Sequence, residues 1–194
     1  LFRSEKDNGM YGGTCINVGC IPSKRLITEA ATAPKSDFAS KAAYYKKAIE
    51  GKRALTGALN QANYNKLIQA GVEVIDGMAS FVDATHVEVK TKDGVLQLEG
   101  KQFVINTGAT SVIPGIPGVK DSYKVYTSES MMDLDELPEK LTIVGGGYIG
   151  LEFAAMYANF GSKVTVVQDI DVFLPREDKD IADNIRSVLE AKGI

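Results

Sequence analysis

The stretch Gly12-Gly13-Thr14-Cys15-Ile16-Asn17-Val18-Gly19-Cys20-Ile21-Pro22-Ser23-Lys24 holds both cysteines of a 194-residue chain. Leu26, Ile27, Ala30 and Ala31 follow at helical spacing, and Pro22 suits a first helical turn, where its missing N–H had no partner. The pattern predicts a helix over about 21–32 with Cys20 at its start. Exposed N–H groups and the helix dipole at such a terminus favour an anion and can lower a thiol pKa below its free value of about 8.5. Residues five apart in a regular helix rise about 7.5 Å, whereas a disulfide needs Cα atoms within about 6.8 Å. For the two sulfurs to bond, part of Cys15–Cys20 must leave helical geometry, and Gly19 eases that. The pair alone also fits two buried small hydrophobes or half of a metal site. Structural zinc normally takes four protein ligands, and the only histidine, His86, is distant in sequence, so no metal is expected.

A second punctuated stretch lies near the other end. Leu141-Thr142-Ile143-Val144 reads as a buried-type strand running into Gly145-Gly146-Gly147-Tyr148-Ile149-Gly150, which satisfies G-x-G-x-x-G. A helix over 151–160 and a strand over Val164-Thr165-Val166-Val167 follow, and that order makes a dinucleotide site. Gly145 permits the tight turn, Gly147 lets a pyrophosphate approach the backbone, and Gly150 lets helix and strand pack. Free N–H groups at the helix start would face the phosphates. Gln168 and Asp169 stand where an acid commonly grips the adenosine ribose. The nearest arginine after them is Arg176, which favours NADH over NADPH.

Between these stretches, residues 36–71 read as helical, with Gly51 and Gly57 arguing against one unbroken helix. Short β-rich runs follow at 72–75, 79–82, 86–89 and 95–98, with a hairpin at Lys92-Asp93-Gly94. Residues 102–106 form a last apolar strand ending at Thr107-Gly108-Ala109. His86 reads as a partly exposed strand residue. Pro114 to Gly118 and the polar run 121–127 punctuate the chain, and a short helix near 130–134 precedes the second unit.

Hydrophobic residues make up 44% of the chain and charged residues 24%, an ordinary globular balance. The net charge of −3 and the lack of any basic run argue against a nucleic-acid partner. No apolar run approaches a membrane span and no signal peptide opens the chain. Two cysteines in one motif fit the reducing cytoplasm. The chain opens at Leu1-Phe2-Arg3 without Met and closes at Lys192-Gly193-Ile194 where another strand is due, so it reads as the interior of a longer protein.

The cysteine stretch resembles the redox-active disulfide motif of the pyridine nucleotide–disulfide oxidoreductases, FAD flavoproteins that include dihydrolipoyl dehydrogenase, glutathione reductase and mercuric reductase. The resemblance implies an α/β fold with two Rossmann-like dinucleotide-binding domains, the FAD domain incomplete and the NAD(P)H domain partial. The implied division is 1–112 for the FAD domain, 113–138 for a linker and 139–194 for the start of the NAD(P)H domain. It further implies FAD contacts from Gly12, Gly13, Thr14, Cys15, Lys24, Ala79, Thr107, Gly108 and Ala109, with Glu5 a looser match to the FAD ribose acid. NAD(P)H would meet Gly145, Gly147, Tyr148, Ile149, Gly150, Glu152, Gln168 and Asp169. Tyr148 matches an aromatic lid over the flavin, and Glu152 a carboxylate that pairs with Lys24. By the same resemblance electrons pass from NADH through FAD to a Cys15–Cys20 disulfide, Cys20 lying on the flavin side and Cys15 attacking substrate. An N-terminal FAD glycine motif and a His-Glu pair on a C-terminal dimerisation domain would lie outside this chain, giving a homodimer. Met10-Tyr11 and the run 173–185 look most like a bacterial branch induced by reactive chlorine, whose members reduce hypothiocyanous acid or copper(II). Dihydrolipoyl dehydrogenase is the alternative. A non-catalytic nucleotide-binding regulatory module, the reading from another class, would need neither cysteine.

Overall fold

The structure is a computed structural model that describes residues 2–3 and 9–194, with no side chain of residues 2–3 described. It is mixed α/β and divides into two compact units. One comprises Leu1–Ile21 with Leu55–Ser122, the other Pro22–Ala54 with Tyr123–Ile194. Glu5 lies outside the described residues.

In the first unit, β1 (Phe2–Arg3) pairs in parallel with β2 (Ile75–Asp76). Of the apolar run 72–75 only Ile75 is strand, and β2 pairs with β1 over the two positions 75 and 76. A three-stranded antiparallel sheet follows, ordered β3 (Met78–Phe81), β4 (His86–Thr91) and β5 (Gly94–Glu99). Thr91 pairs with Gly94, so Lys92-Asp93 forms the two-residue hairpin turn, and Val87 and Val89 of β4 are its buried residues. His86 is half-exposed, and its Nδ1 lies 2.9 Å from the Asp83 carboxylate in the preceding turn. The N–H of Thr85, then the His86 side chain, bring the Asp83 pKa down to about 2. The strand expected at 102–106 is absent. Val104 and Ile105 are 93% and 72% exposed in an irregular segment, for which no strand among the described residues supplies a ladder.

Helices α1 (Gly13–Asn17), α2 (Cys20–Ala31) and α3 (Phe38–Gln69) carry the chain through both units. Against the sequence expectation α3 is unbroken for 32 residues. A mid-helix glycine costs only about 1 kcal/mol relative to alanine, which buried Tyr45, Ala48 and Ile49 of the same helix offset.

In the second unit, α4 (Ser128–Met131) is short and closed at its start by Thr127, whose side chain accepts from the Ser130 N–H. β6 (Lys140–Val144), α5 (Tyr148–Phe160) and β7 (Lys163–Val167) follow, and α6 (Lys179–Ala191) packs Ala182 and Leu189 inward. β6 and β7 are parallel with Val144 opposite Val167, so the turn after β6 and the loop after β7 leave from the same end. Leu26, Tyr45, Ile49, Met156, Tyr157 and Phe160 build the core. Tyr45 meets Phe160 edge-on at 5.1 Å. The Tyr45 and Tyr157 hydroxyls lie 3.0 Å apart, and each also reaches a carbonyl at 2.9 Å, Leu134 for Tyr45 and Met131 for Tyr157. Burial pushes the Tyr45 pKa up to about 12, so these hydroxyls stay protonated donors. Beside them Lys52, 3% exposed, gives Nζ to Asp133 Oδ1 at 2.5 Å. Arg53 reaches the same carboxylate at 3.1 Å and Asp135 at 2.6 Å.

Tyr157→Phe removes one of two protons shared among three buried contacts. The substitution should cost about 1–2 kcal/mol, read as a lower urea midpoint for the intact protein. An unchanged midpoint would show that the hydroxyl network is incidental.

Candidate active site

Cys15 sits in α1 and Cys20 opens α2, so the chain does leave helical geometry between the two cysteines, at Val18 and Gly19. Val18 ends α1 by donating its N–H to Thr14 O at 3.0 Å. Gly19 has no positive φ. Space is tight there: a Cβ would lie 3.0 Å from Thr14 O and 3.3 Å from Thr14 Cγ2, so a side chain would need Thr14 to give by a few tenths of an ångström. Gly12 caps α1 in the left-handed region at φ 91°, and Gly13 follows at 69°. The turn is pinned from behind. Asn17 Nδ2 donates to the Tyr11 and Gly13 carbonyls at 3.1 and 2.8 Å, and Asn60 of α3 donates to Asn17 Oδ1 at 2.8 Å and to Gly9 O. Tyr11 packs on Tyr64 with centroids 4.7 Å apart. Sequence reasoning missed these supports. Asn17 stood in plain view between the cysteines, but Asn60 and Tyr64 are brought in only by the fold of α3.

Both cysteines are exposed and no disulfide joins them here. A hydrogen bond with the Cys20 side chain pushes the Cys15 pKa above its ordinary value, while the backbone N–H groups of Cys20 and Ile21 pull the other way. The first amides of α2 therefore serve the preceding cysteine, a partner that periodicity alone did not indicate.

Lys24, one turn further along α2, donates Nζ to Glu152 Oε1 of α5 at 2.5 Å, with side chains 60% and 46% exposed. Ala79 lies exposed on β3 opposite Val89. Thr107, Gly108 and Ala109 lie exposed in the irregular segment, Gly108 at φ 78°.

The glycine turn is open at Gly147 and tight at Gly150. Gly145 adopts φ 106°. A Cβ on Gly147 would meet nothing within 4 Å, whereas one on Gly150 would press into the Gly145 carbonyl. Gly147 caps α5 with no side chain on the helix amides, which leaves them open to an anion. Tyr148 and Ile149 are 58% and 63% exposed at the start of α5. Gln168 binds on both sides: Oε1 accepts from Gly146 N–H at 3.1 Å, and Nε2 donates to Val172 O at 2.9 Å and Ile170 O at 3.4 Å. Asp169 is exposed in the same loop. A cavity of about 260 Å³ opens beside them, lined in part by Gly146, Gln168, Ile170, Asp171, Phe173 and Arg186. Among the described residues no cluster of potential metal ligands occurs, and no helix is long and apolar enough to cross a membrane.

A cysteine pair at a helix start and a glycine turn between parallel strands are the two elements a flavin-linked disulfide reductase requires. The chain belongs to the pyridine nucleotide-disulphide oxidoreductase family, whose sequence pattern matches residues 2–194. It is 45% identical over 191 residues to a probable pyridine nucleotide-disulfide oxidoreductase, RclA, of Escherichia coli, covering 98% of this chain and 41% of the relative. Identity to the mercuric reductase of Bacillus cereus is 36%, over 97% of this chain and 30% of that one. With the dihydrolipoyl dehydrogenase of Acholeplasma laidlawii it is 35%, over 95% and 57%. The fold superimposes on the HOCl-induced flavoprotein disulfide reductase RclA from E. coli with a TM-score of 0.87 at 44% identity, covering 99% of this chain and 42% of the other. A Cu(II) complex of that enzyme gives a TM-score of 0.86, also at 44% identity, over 99% and 41%. The chain thus spans between about a third and three fifths of these relatives. Membership implies FAD and NAD(P)H as the family's cofactors.

Because the Cys20 side chain raises the Cys15 pKa, Cys15 should alkylate appreciably only as pH rises through that elevated value. Cys20→Ala leaves the backbone donors alone with Cys15, so the midpoint should move down in the reduced intact protein. Mass-spectrometric iodoacetamide labelling against pH reads this directly, and an unmoved midpoint would contradict the assignment.

Proposed function

We propose that the intact protein is a flavoprotein oxidoreductase that passes electrons from NAD(P)H through FAD to a Cys15–Cys20 disulfide and on to a small oxidant. The observation that carries this reading is the hydrogen-bonded thiol pair at the α1–α2 break, with the Cys20 and Ile21 amides turned toward Cys15. Closing such a pair to a disulfide releases two electrons and two protons. That is enough to reduce one disulfide, one hypothiocyanous acid to thiocyanate and water, or two copper(II) ions. The 45% identity to RclA and the Cu(II) complex of that enzyme favour an inorganic oxidant or copper(II). Dihydrolipoyl dehydrogenase is the second reading, on 35% identity over 57% of that relative.

Residues of the chain divide the task. Gly12, Gly13, Thr14, Cys15, Lys24, Ala79, Thr107, Gly108 and Ala109 would hold FAD, which supplies two-electron transfer between nicotinamide and disulfide when bound. The two positive-φ glycines at the α1 start and Gly108 supply backbone without side-chain bulk, which suits a close cofactor approach. Cys20 is read as the flavin-side thiol and Cys15 as the one that meets substrate. Glu152 fixes the Lys24 ammonium by its ion pair. Gly145, Gly147, Ile149 and Gly150 would hold the pyrophosphate side of NAD(P)H, and Gln168 and Asp169 its ribose. On this reading domain 1–112 is the FAD part, 113–138 the linker and 139–194 the coenzyme part of a cytoplasmic homodimer.

NADH should be preferred, because a 2′-phosphate would meet the Asp169 charge. The expected kcat/KM ratio is about tenfold, or 1.4 kcal/mol, and steady-state assays with both coenzymes decide it; equal values refute the preference. The cysteine roles separate spectroscopically. Cys15→Ser should show a broad long-wavelength absorption beside oxidised FAD without reductant, from a lone Cys20 thiolate, and Cys20→Ser should not. A band in the Cys20→Ser protein instead would exchange the two roles.

A further inference from the structure

Asn60 of α3 donates its side-chain amide hydrogens to the turn that carries the cysteines. Nδ2 reaches Asn17 Oδ1 at 2.8 Å and the Gly9 carbonyl. Asn17 stands between Cys15 and Cys20, and its own amide hydrogens go to the Tyr11 and Gly13 carbonyls at 3.1 and 2.8 Å. A carbonyl only accepts, so these partners fix which way round the Asn17 amide lies and leave its Oδ1 for Asn60. Neighbouring positions on the same face of α3 approach the same segment. Tyr64 packs on Tyr11 with centroids 4.7 Å apart, and a Cβ on Gly12 would lie 3.2 Å from Asn63 Nδ2. Asn60, Tyr64 and the segment 9–20 all belong to the first compact unit. We propose that Asn60 is a positioning residue for the cysteine pair, holding α1 through the Asn17 amide where Cys15 meets Cys20. This rests on the Cys15–Cys20 disulfide proposed above.

α1 needs such a hold. It is five residues long and none of them is buried, so neither propagation of a helix nor packing fixes its place. It starts at Gly12 and Gly13, both at positive φ, and glycine is the residue with the most backbone freedom to lose. The hydrogens donated by Asn17 and Asn60 restrain that freedom at Gly9, Tyr11 and Gly13. Closing two thiols to a disulfide releases two electrons and two protons, and a pair already held together loses less freedom in closing. Asn60 therefore favours the disulfide side of the equilibrium without touching a sulfur.

The test equilibrates the intact, FAD-loaded protein in dithiothreitol redox buffers, where oxidised dithiothreitol takes up the two electrons and two protons. After quenching and alkylation, mass spectrometry reads Cys15 and Cys20. Asn60→Ala should lower the equilibrium constant for disulfide formation about tenfold, a potential about 30 mV less negative. Asn60→Leu keeps the volume but donates nothing. It should shift equally, and it gives the result if the alanine variant folds poorly. Adding Asn60→Ala to Asn17→Ala should give no further shift, because the amide that Asn60 orients is already gone. Gln61 is exposed on α3 and donates to Asn65 of the same helix at 2.9 Å, so Gln61→Ala should leave the potential unchanged. Asn60→Ala should also bring the Cys15 alkylation midpoint down toward that of an ordinary thiol, as its contact with Cys20 loosens. A lower urea midpoint with potential and alkylation unmoved would make Asn60 structural only and overturn the proposal. Restoration by Asn60→Leu, a matching shift in Gln61→Ala, or additive shifts in the double variant would overturn it as well. If the unsubstituted protein forms no Cys15–Cys20 disulfide in any buffer, the disulfide reading fails and the positioning role with it. A disulfide whose potential ignores Asn60 removes the positioning role alone.

Discussion

The hydrogen bond between the Cys15 and Cys20 side chains depends on two residues that interrupt what would otherwise be one helix. Val18 turns its N–H back to Thr14, and Gly19 passes the same carbonyl so closely that a Cβ would lie only 3.0 Å from it. The interruption brings a second helix start up to the first cysteine. The N–H groups of that start are then available to a sulfur that precedes it in sequence. Asn17 holds the turn from the far side through the Tyr11 and Gly13 carbonyls, and Asn60 through Gly9 O and the Asn17 side chain. The geometry of the cysteine pair is thus a property of the backbone path, and the sulfurs occupy it.

The glycine turn follows a related logic with different parts. Gly150 keeps α5 against the Gly145 carbonyl, and the open α5 amides leave room for an anion. Gln168 does what a carboxylate at the same place could not. An amide can accept from the Gly146 N–H and donate to two loop carbonyls at once, whereas a carboxylate only accepts. The neutral side chain therefore ties the glycine turn to the loop after β7.

The local features were the legible ones. The helix start at Cys20, the β3–β4–β5 hairpins and the β6–turn–α5–β7 unit all follow from periodicity, turn residues and glycine spacing within about 30 residues. The apolar run 102–106 shows where such reasoning stops, since a strand exists only where a neighbouring strand presents its edge. The unbroken α3 shows the converse: two glycines lost to the packing of Tyr45 and Ile49. The Lys24–Glu152 pair was legible only through family resemblance, because 128 residues separate its members. Asn60 carried no local signal, as its partners are set by tertiary folding alone.

The Lys52–Asp133–Arg53 cluster has a consequence for acid. Burial works against the Asp133 charge, but the hydrogen bonds from Lys52 and Arg53 outweigh it and hold the carboxyl below its ordinary range. A group with a lowered pKa gives its full stabilisation above the unfolded value of about 3.9 and loses it as pH falls through the folded one. Below that point Asp133 is neutral and the Lys52 ammonium, almost wholly enclosed, faces no countercharge on it. Acidification should therefore open this unit at the seam between α3 and the 131–135 segment, before its aromatic core has any reason to yield.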